Sequence, residues 1–282
     1  MKIGISAEST IDIPQELLQK FNIDTIPFTV LLGEEEGKDG VLTPTQIFDY
    51  VDRTGVLPKT SAVNEFQFEE YFLELKKKYD AIIHISLSSR ISSACSNAMK
   101  VAEQMKDVYV IDSKSLSTGI ALLCFYAREL VDQGLEVKEI VKRVTARTPA
   151  VQASFVVNTL DYLYKGGRCS SLARFGANLL RLKPQILVSD GKMSSGAKYR
   201  GKNRDVVEDY CLDTLAKFNT PDKSIIFITH SSASPDMVEA ARRIVERHGF
   251  KTIYETVAGA TISSHCGPKT LGILYFNDGD KK

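Results

Sequence analysis

An excess of charge of either sign is missing from this chain. Across 282 residues, Lys and Arg total 36 against 35 Asp and Glu, a net charge of +1. Without a positive excess there is no global electrostatic footprint for nucleic acid or an anionic membrane, and neither is expected as a partner. Long apolar runs are missing too. The longest, Gly119 to Ala127, is about half of the ~20 residues a membrane-spanning helix needs, and Arg128 ends it. The start, MKIGISAEST, has no apolar segment of the secretory kind, so the expected location is the cytoplasm. The five cysteines (Cys95, Cys124, Cys169, Cys211 and Cys266) are odd in number and scattered, with no C-x-x-C. That argues against a disulfide framework and a cysteine-rich zinc site. The four histidines, His84, His230, His248 and His265, have no metal-ligand spacing, and no metal is expected. Neither G-x-G-x-x-G nor a Walker A sequence occurs, so a nucleotide cofactor lacks its usual phosphate cradle. No cofactor is expected.

What is present is a recurring unit, a short apolar strand running into a Ser-rich turn. It occurs at Lys2–Ser6, Ala81–Ser86, Val108–Asp112 and Ser224–Thr229, and helices are predicted after the last three, over Ser92–Met105, Gly119–Gln133 and Pro235–His248. Continuous apolar strands alternating with helices predict a buried parallel sheet and an α/β fold. The second half reads differently. Strands are predicted at Gln152–Val157, Gln185–Val188, Lys192–Tyr199, Thr252–Val257 and Leu271–Phe276, with helices at Leu160–Lys165 and around Leu172–Leu182. Strands without a helix between each pair predict a mixed or antiparallel sheet. The expectation is two α/β domains, residues 1–150 and 151–282, with a ligand cleft between them. Pro149 marks the boundary, because the residue before a proline resists helix.

Hydroxyl-rich turns are the other conspicuous feature: Thr60-Ser61, Ser88–Ser93, Ser170-Ser171 after Lys165–Arg168, and Ser263–His265 before Cys266-Gly267-Pro268. Serines before helices are ordinarily caps and turn formers. Hydroxyls and backbone N–H groups at helix starts also make anion sites, and several converging turns would form a shared one. The neighbouring segments Ser92–Met105 and Ala173–Leu180 mix small and bulky apolar residues. They read either as plain core or as the wall of an elongated apolar cavity ending at the hydroxyls. A polar head joined to an apolar tunnel suits an amphiphile.

In these residues the chain resembles the DegV family of fatty-acid-binding proteins. The resemblance runs in order through Ile5–Pro14 (ISAESTIDIP), Thr60-Ser61, Leu87–Ala98 (LSSRISSACSNA), Val110–Gly119 (VIDSKSLSTG), Thr159–Arg168 (TLDYLYKGGR), Lys183-Pro184 and His265–Gly272 (HCGPKTLG). Departures are Ala7-Glu8 for the usual Thr-Asp, Ala62-Val63 for Gln-Pro, Ser93 for Gly, and Ala94-Cys95 for Thr-Tyr. The resemblance implies a carrier, not an enzyme, that holds one long-chain fatty acid between two domains. It further implies that a separate fatty acid kinase phosphorylates the bound carboxylate for lipid metabolism. By motif position Thr60 and Ser92 would bind the carboxylate, with Ser61, Arg168 and His265 as a supporting polar network.

Two other functions stay open at this level. Ser92 or Ser93 with His265 and Asp112 would make an acyl-hydrolase triad, although no G-x-S-x-G elbow surrounds either serine. Cys169 or Cys266 beside a cation would make a thiol nucleophile, against the commoner role of a small buried hydrophobe. The cations Lys198, Arg200, Lys202 and Arg204 lie close together in KYRGKNR. They read as a solvated loop, as phosphate contacts of a regulatory anion-binding protein, or, at Arg200 and Arg204, as a docking patch for the kinase.

Overall fold

The computed structural model describes residues 1–168 and 182–279. Cys169, Ser170, Ser171 and the predicted helix around Leu172–Leu182, except Leu182 itself, lie outside the described residues. The first half runs β1 (Ile3–Glu8), α1 (Gln15–Lys20), β2 (Ile23–Ile26), β3 (Thr29–Leu32), β4 (Glu35–Lys38), α2 (Pro44–Thr54), β5 (Lys59–Ser61) and α3 (Glu65–Lys76). It continues through β6 (Ala81–Ser86), α4 (Ala94–Ala102), β7 (Val108–Asp112), α5 (Thr118–Asp132) and α6 (Val137–Arg147). The second half runs β8 (Val151–Val156), α7 (Asp161–Lys165), β9 (Lys183–Ser189), β10 (Lys192–Tyr199) and α8 (Asn203–Lys217). It ends with β11 (Ile225–Ser231), α9 (Pro235–Arg247), β12 (Thr252–Val257), α10 (Ala260–Cys266) and β13 (Thr270–Phe276).

The first sheet is parallel, in the order β2-β1-β6-β7. Its two central strands are buried along their full length, as expected where helices cover both faces. The second is mixed, in the order β10-β9-β8-β13-β11-β12, with only β11 and β12 parallel. The fold is therefore α/β, a parallel sheet followed by a mixed one. The strand pattern of β11 shows why both faces are filled. Ile226 and Ile228 pack with α8 and α9, while the alternate residue Phe227 faces the core shared with the first sheet. That shared core is continuous, joining Ile5, Ile83 and Ile120 to Phe155, Phe227 and Leu274. Helix α5 lies within it, touching β1 and β6 on one side and β8, β11 and β13 on the other. From Thr118 to Phe125 the helix is buried on every side between the two sheets, which accounts for its apolar run.

A small antiparallel sheet, β4-β3-β5, was not legible in the sequence. Its strands are three or four residues long and largely exposed, so they carry little apolar periodicity. It belongs to the first half of the chain but packs, with α2, on α7 and α10 of the second. Val30, Ile47, Phe48, Tyr162 and Ala260 form that cluster. Helix α2 carries its own capping box, Thr43 with Gln46, and α3 has another, Asn64 with Gln67. At the crossover, Arg147 bonds Asp222 at 2.9 Å and Asp278 at 2.9 Å, and lies between the rings of Tyr126 and Phe276. This partly buried clamp ties the end of α6 to the second sheet.

Candidate functional site

A cavity of about 40 Å³ lies between the two halves. The first half contributes Thr60, Leu87, Ile91, Ser92 and Leu116 to its wall; the second contributes Leu163, Arg168, Met193, Thr261, Ile262, His265 and Cys266. Leu116, Ile262 and Cys266 also border a second cavity of about 30 Å³, whose remaining wall includes Phe155, Ala258 and Leu274. The hydroxyl-bearing turns and the apolar core thus meet along one line. Both spaces are of water size, far below the ~300 Å³ where small-molecule pockets begin. A long ligand has to part the two walls. A cleft of about 1060 Å³ lies elsewhere, beside the Arg147 clamp, and none of the motif hydroxyls lines it.

Thr60 Oγ1 and His265 Nε2 share a hydrogen bond of 2.8 Å across the cavity, joining β5 to α10. Burial of the ring and the nearby Arg168 guanidinium lower the imidazole's pKa to about 4. His265 is therefore neutral at physiological pH, with one N–H to give. Its Nδ1 is buried without a hydrogen-bond partner and packs against Gly166, where a Cβ would come within 2.6 Å of it. The Arg168 guanidinium donates to the Gly166 carbonyl at 2.7 Å, and desolvation lowers its own pKa. Ser92 lies in the turn before α4 and accepts from the Ala94 N–H at 3.2 Å, which leaves its own proton free. Ser61 does not join the group. It follows Thr60 on β5, where successive side chains face opposite ways, and it is exposed. Arg200 and Arg204 are also apart, exposed between β10 and the start of α8; Arg204 pairs with Glu208 at 3.2 Å.

Residues far apart in the chain, which no local pattern groups, hold these side chains in place. Helix α10 has no side-chain cap of its own. Its first N–H groups are taken by two distant carboxylates: Gly259 N–H donates to Asp12 and Ala260 N–H to Asp39, both at 2.8 Å. Ser117 donates to Asp12, and Ser9 donates to Asp39 at 2.9 Å. Burial raises the Asp12 pKa well above the usual carboxylate range. The turn leading to Ser92 is anchored by Glu8, fully buried, which accepts from the Leu87 N–H at 2.9 Å and from Ser86 Oγ. The tip of the β9–β10 hairpin reaches over the same turn. Ser88 Oγ donates to the Gly191 carbonyl at 2.9 Å, and Lys114 pairs with Asp190 at 2.9 Å. Asp190 and Gly191 both have positive φ, the signature of a tight hairpin turn, and the Asp-Gly dipeptide was the signal for it. This places Met193 on the cavity wall.

Among the described residues the acyl-hydrolase triad is not assembled, and the candidate nucleophile Cys169 lies outside them. Asp112 bonds Ser89 Oγ at 2.6 Å, not His265, and His265 pairs with Thr60, not with Ser92 or Ser93. With no acceptor on Nδ1, the imidazole has no orienting third member. Burial pushes the Cys266 and Cys95 thiols up to about 12, so neither supplies a thiolate. Among the described residues no three of His, Cys, Asp and Glu converge as metal ligands. No helix among them is long and apolar enough to cross a membrane.

A family profile described as an uncharacterised protein of the DegV family matches residues 2–278. The chain is 28% identical to the fatty acid-binding protein of Thermotoga maritima over 283 residues, 96% of each chain. Two solved structures are similar throughout, each at 26% identity. One is of a DegV family protein from Thermus thermophilus, described by its fatty acid binding, with a TM-score of 0.90 over 98% of this chain and 99% of that one. The other is DegV, a fatty acid binding protein from Bacillus subtilis, with a TM-score of 0.85 over 98% and 99%. With the two sheets, the order of the motifs and the profile agreeing from residue 2 to residue 278, the chain belongs to the DegV family.

Proposed function

We propose that this protein is a fatty acid carrier whose two domains, residues 1–150 and 151–282, close on one long-chain acid. The observation that carries the reading is the meeting of Thr60, Ser92, His265 and Arg168 at one cavity that abuts a second, apolar one. The relatives described as binding fatty acids share the fold over the whole chain. The carboxylate would take its hydrogen bonds from Thr60 and Ser92. His265, as the Nε2–H tautomer, donates a hydrogen bond to Thr60 Oγ1 and leaves the Thr60 hydroxyl hydrogen free for the ligand. Arg168 adds positive charge at the rim, and the acyl tail runs past Leu116, Ile262 and Cys266 toward Phe155 and Leu274.

Magnitudes divide the labour. Burying methylenes is worth about 0.8 kcal/mol each, so a 16-carbon chain offers roughly 12 kcal/mol gross. Hydrogen bonds to a charged head add about 1.5–3 kcal/mol each before desolvation. The tail supplies affinity and the head fixes orientation. Orientation matters because a carrier has to leave the carboxylate accessible to the enzyme that uses it. In this reading it works in the cytoplasm and presents the carboxylate to a separate fatty acid kinase for acyl-phosphate formation. Arg200 and Arg204 are the proposed docking cations.

The test is native mass spectrometry of the purified protein, with identification of any co-purified lipid, followed by palmitate titration of wild type and of Thr60→Val/Ser92→Ala. A one-to-one fatty acid and at least tenfold weaker palmitate binding in a folded double variant are expected. A protein that arrives empty and refuses palmitate would end the carrier reading.

A further inference from the structure

We propose that Thr261 is a third hydroxyl anchor for the ligand carboxylate, which rests on the carrier reading above. Thr261 is 3% exposed and lies one turn before His265 on α10, so the two side chains project from the same face. Both line the cavity that Thr60 and Ser92 reach from the other half. The Thr261 Oγ1 is buried and has no hydrogen-bond partner. A threonine inside a helix ordinarily bonds the carbonyl four residues back. Helix α10 begins at Ala260, so that position, Val257, is the last residue of β12, and the usual internal acceptor is out of place.

The two hydroxyls on the opposite wall already have company. Thr60 is bonded to His265, and Ser92 accepts from Ala94. Among the described residues that line the cavity, only the Thr261 hydroxyl has no partner, a state that is costly in the free protein and is relieved when an acceptor arrives. An ionised carboxylate is acceptor-only and offers about four lone-pair sites, enough for three hydroxyl donors. An alcohol or an ester in the same position offers weaker acceptors. The third donor therefore selects the free acid over its neutral analogues.

The experiment compares palmitate with 1-hexadecanol in wild type, Thr261→Val and Thr261→Ser, with the thermal midpoint of each unliganded protein. Valine keeps the shape and removes only the hydroxyl. The expected result is palmitate binding about tenfold weaker in Thr261→Val, unchanged hexadecanol binding, and recovery in Thr261→Ser. Unchanged palmitate affinity in Thr261→Val, with only a raised midpoint, overturns the anchor and leaves the carrier reading intact. Equal weakening of palmitate and hexadecanol also overturns it, because the residue then acts through packing. A wild type that binds no palmitate removes the carrier reading, and the anchor with it.

Discussion

Acidification should destabilise the free protein through His265 before most carboxylates titrate. The imidazole pKa falls to about 4 in the folded state, from 6.5, because burial and Arg168 both penalise its charged form. Above pH 6.5 the ring is neutral whether the chain is folded or not, and pH has no hold on it. Between 6.5 and 4 only the unfolded chain takes up the proton, so stability drops steadily. Below about 4 both states are protonated and the loss is complete. At about 1.4 kcal/mol per pH unit, crossing that window removes roughly 3 kcal/mol, a large share of a typical domain's stability. Asp12 works in the opposite sense. Its raised pKa lets the folded state bind a proton early, which adds stability as pH falls. The assay is therefore a difference: urea unfolding of wild type and His265→Gln between about pH 7 and pH 4. The wild-type curve should fall more steeply, the gap narrowing by roughly 3 kcal/mol across the window. Parallel curves would refute the account of a buried, neutral imidazole.

Asp39→Ala should cost about 1–3 kcal/mol, because the Ala260 N–H and the Ser9 hydroxyl lose their acceptor. Hydrogen exchange should accelerate over residues 260–266, and protection equal to wild type there would contradict the bracing role. If Arg200 and Arg204 dock a fatty acid kinase as proposed, Arg200→Glu with Arg204→Glu should leave palmitate binding unchanged and abolish phosphorylation of the bound acid. Undiminished phosphorylation would remove them from the interface.

The parts of the fold legible in the sequence were those stabilised by local pattern. Strands β6, β7, β10 and β12 have the bounds that the sequence predicted, because turn residues flank each of them. Helix α10 was read as a serine turn. It is seven residues long, and its capping groups come from Asp12 and Asp39, 247 and 221 positions away, so no local signal announces it. The same distance explains the site. Thr60, Ser92, Arg168 and His265 were singled out by motif, but their convergence depends on the small sheet that carries β5 across to α10. Thr261 was passed over, although its spacing of four from His265 would have marked it once α10 was known to be helical. Ser61 was grouped with Thr60 because they are adjacent, and adjacency in a strand means opposite faces.

The place of β13 in the second sheet has a consequence for synthesis. It pairs with β8 on one edge and β11 on the other, although most of the sheet precedes it in the chain. As the chain leaves the ribosome, β8–β10 and β11–β12 emerge as two fragments with open, apolar edges. They become one sheet only when Thr270–Phe276 slides between them. The segment just ahead of that strand is α10 with His265 and Thr261, so the ligand site and the sheet are completed in the same step. A nascent or truncated protein stopped before residue 270 should be an aggregation-prone client of chaperones.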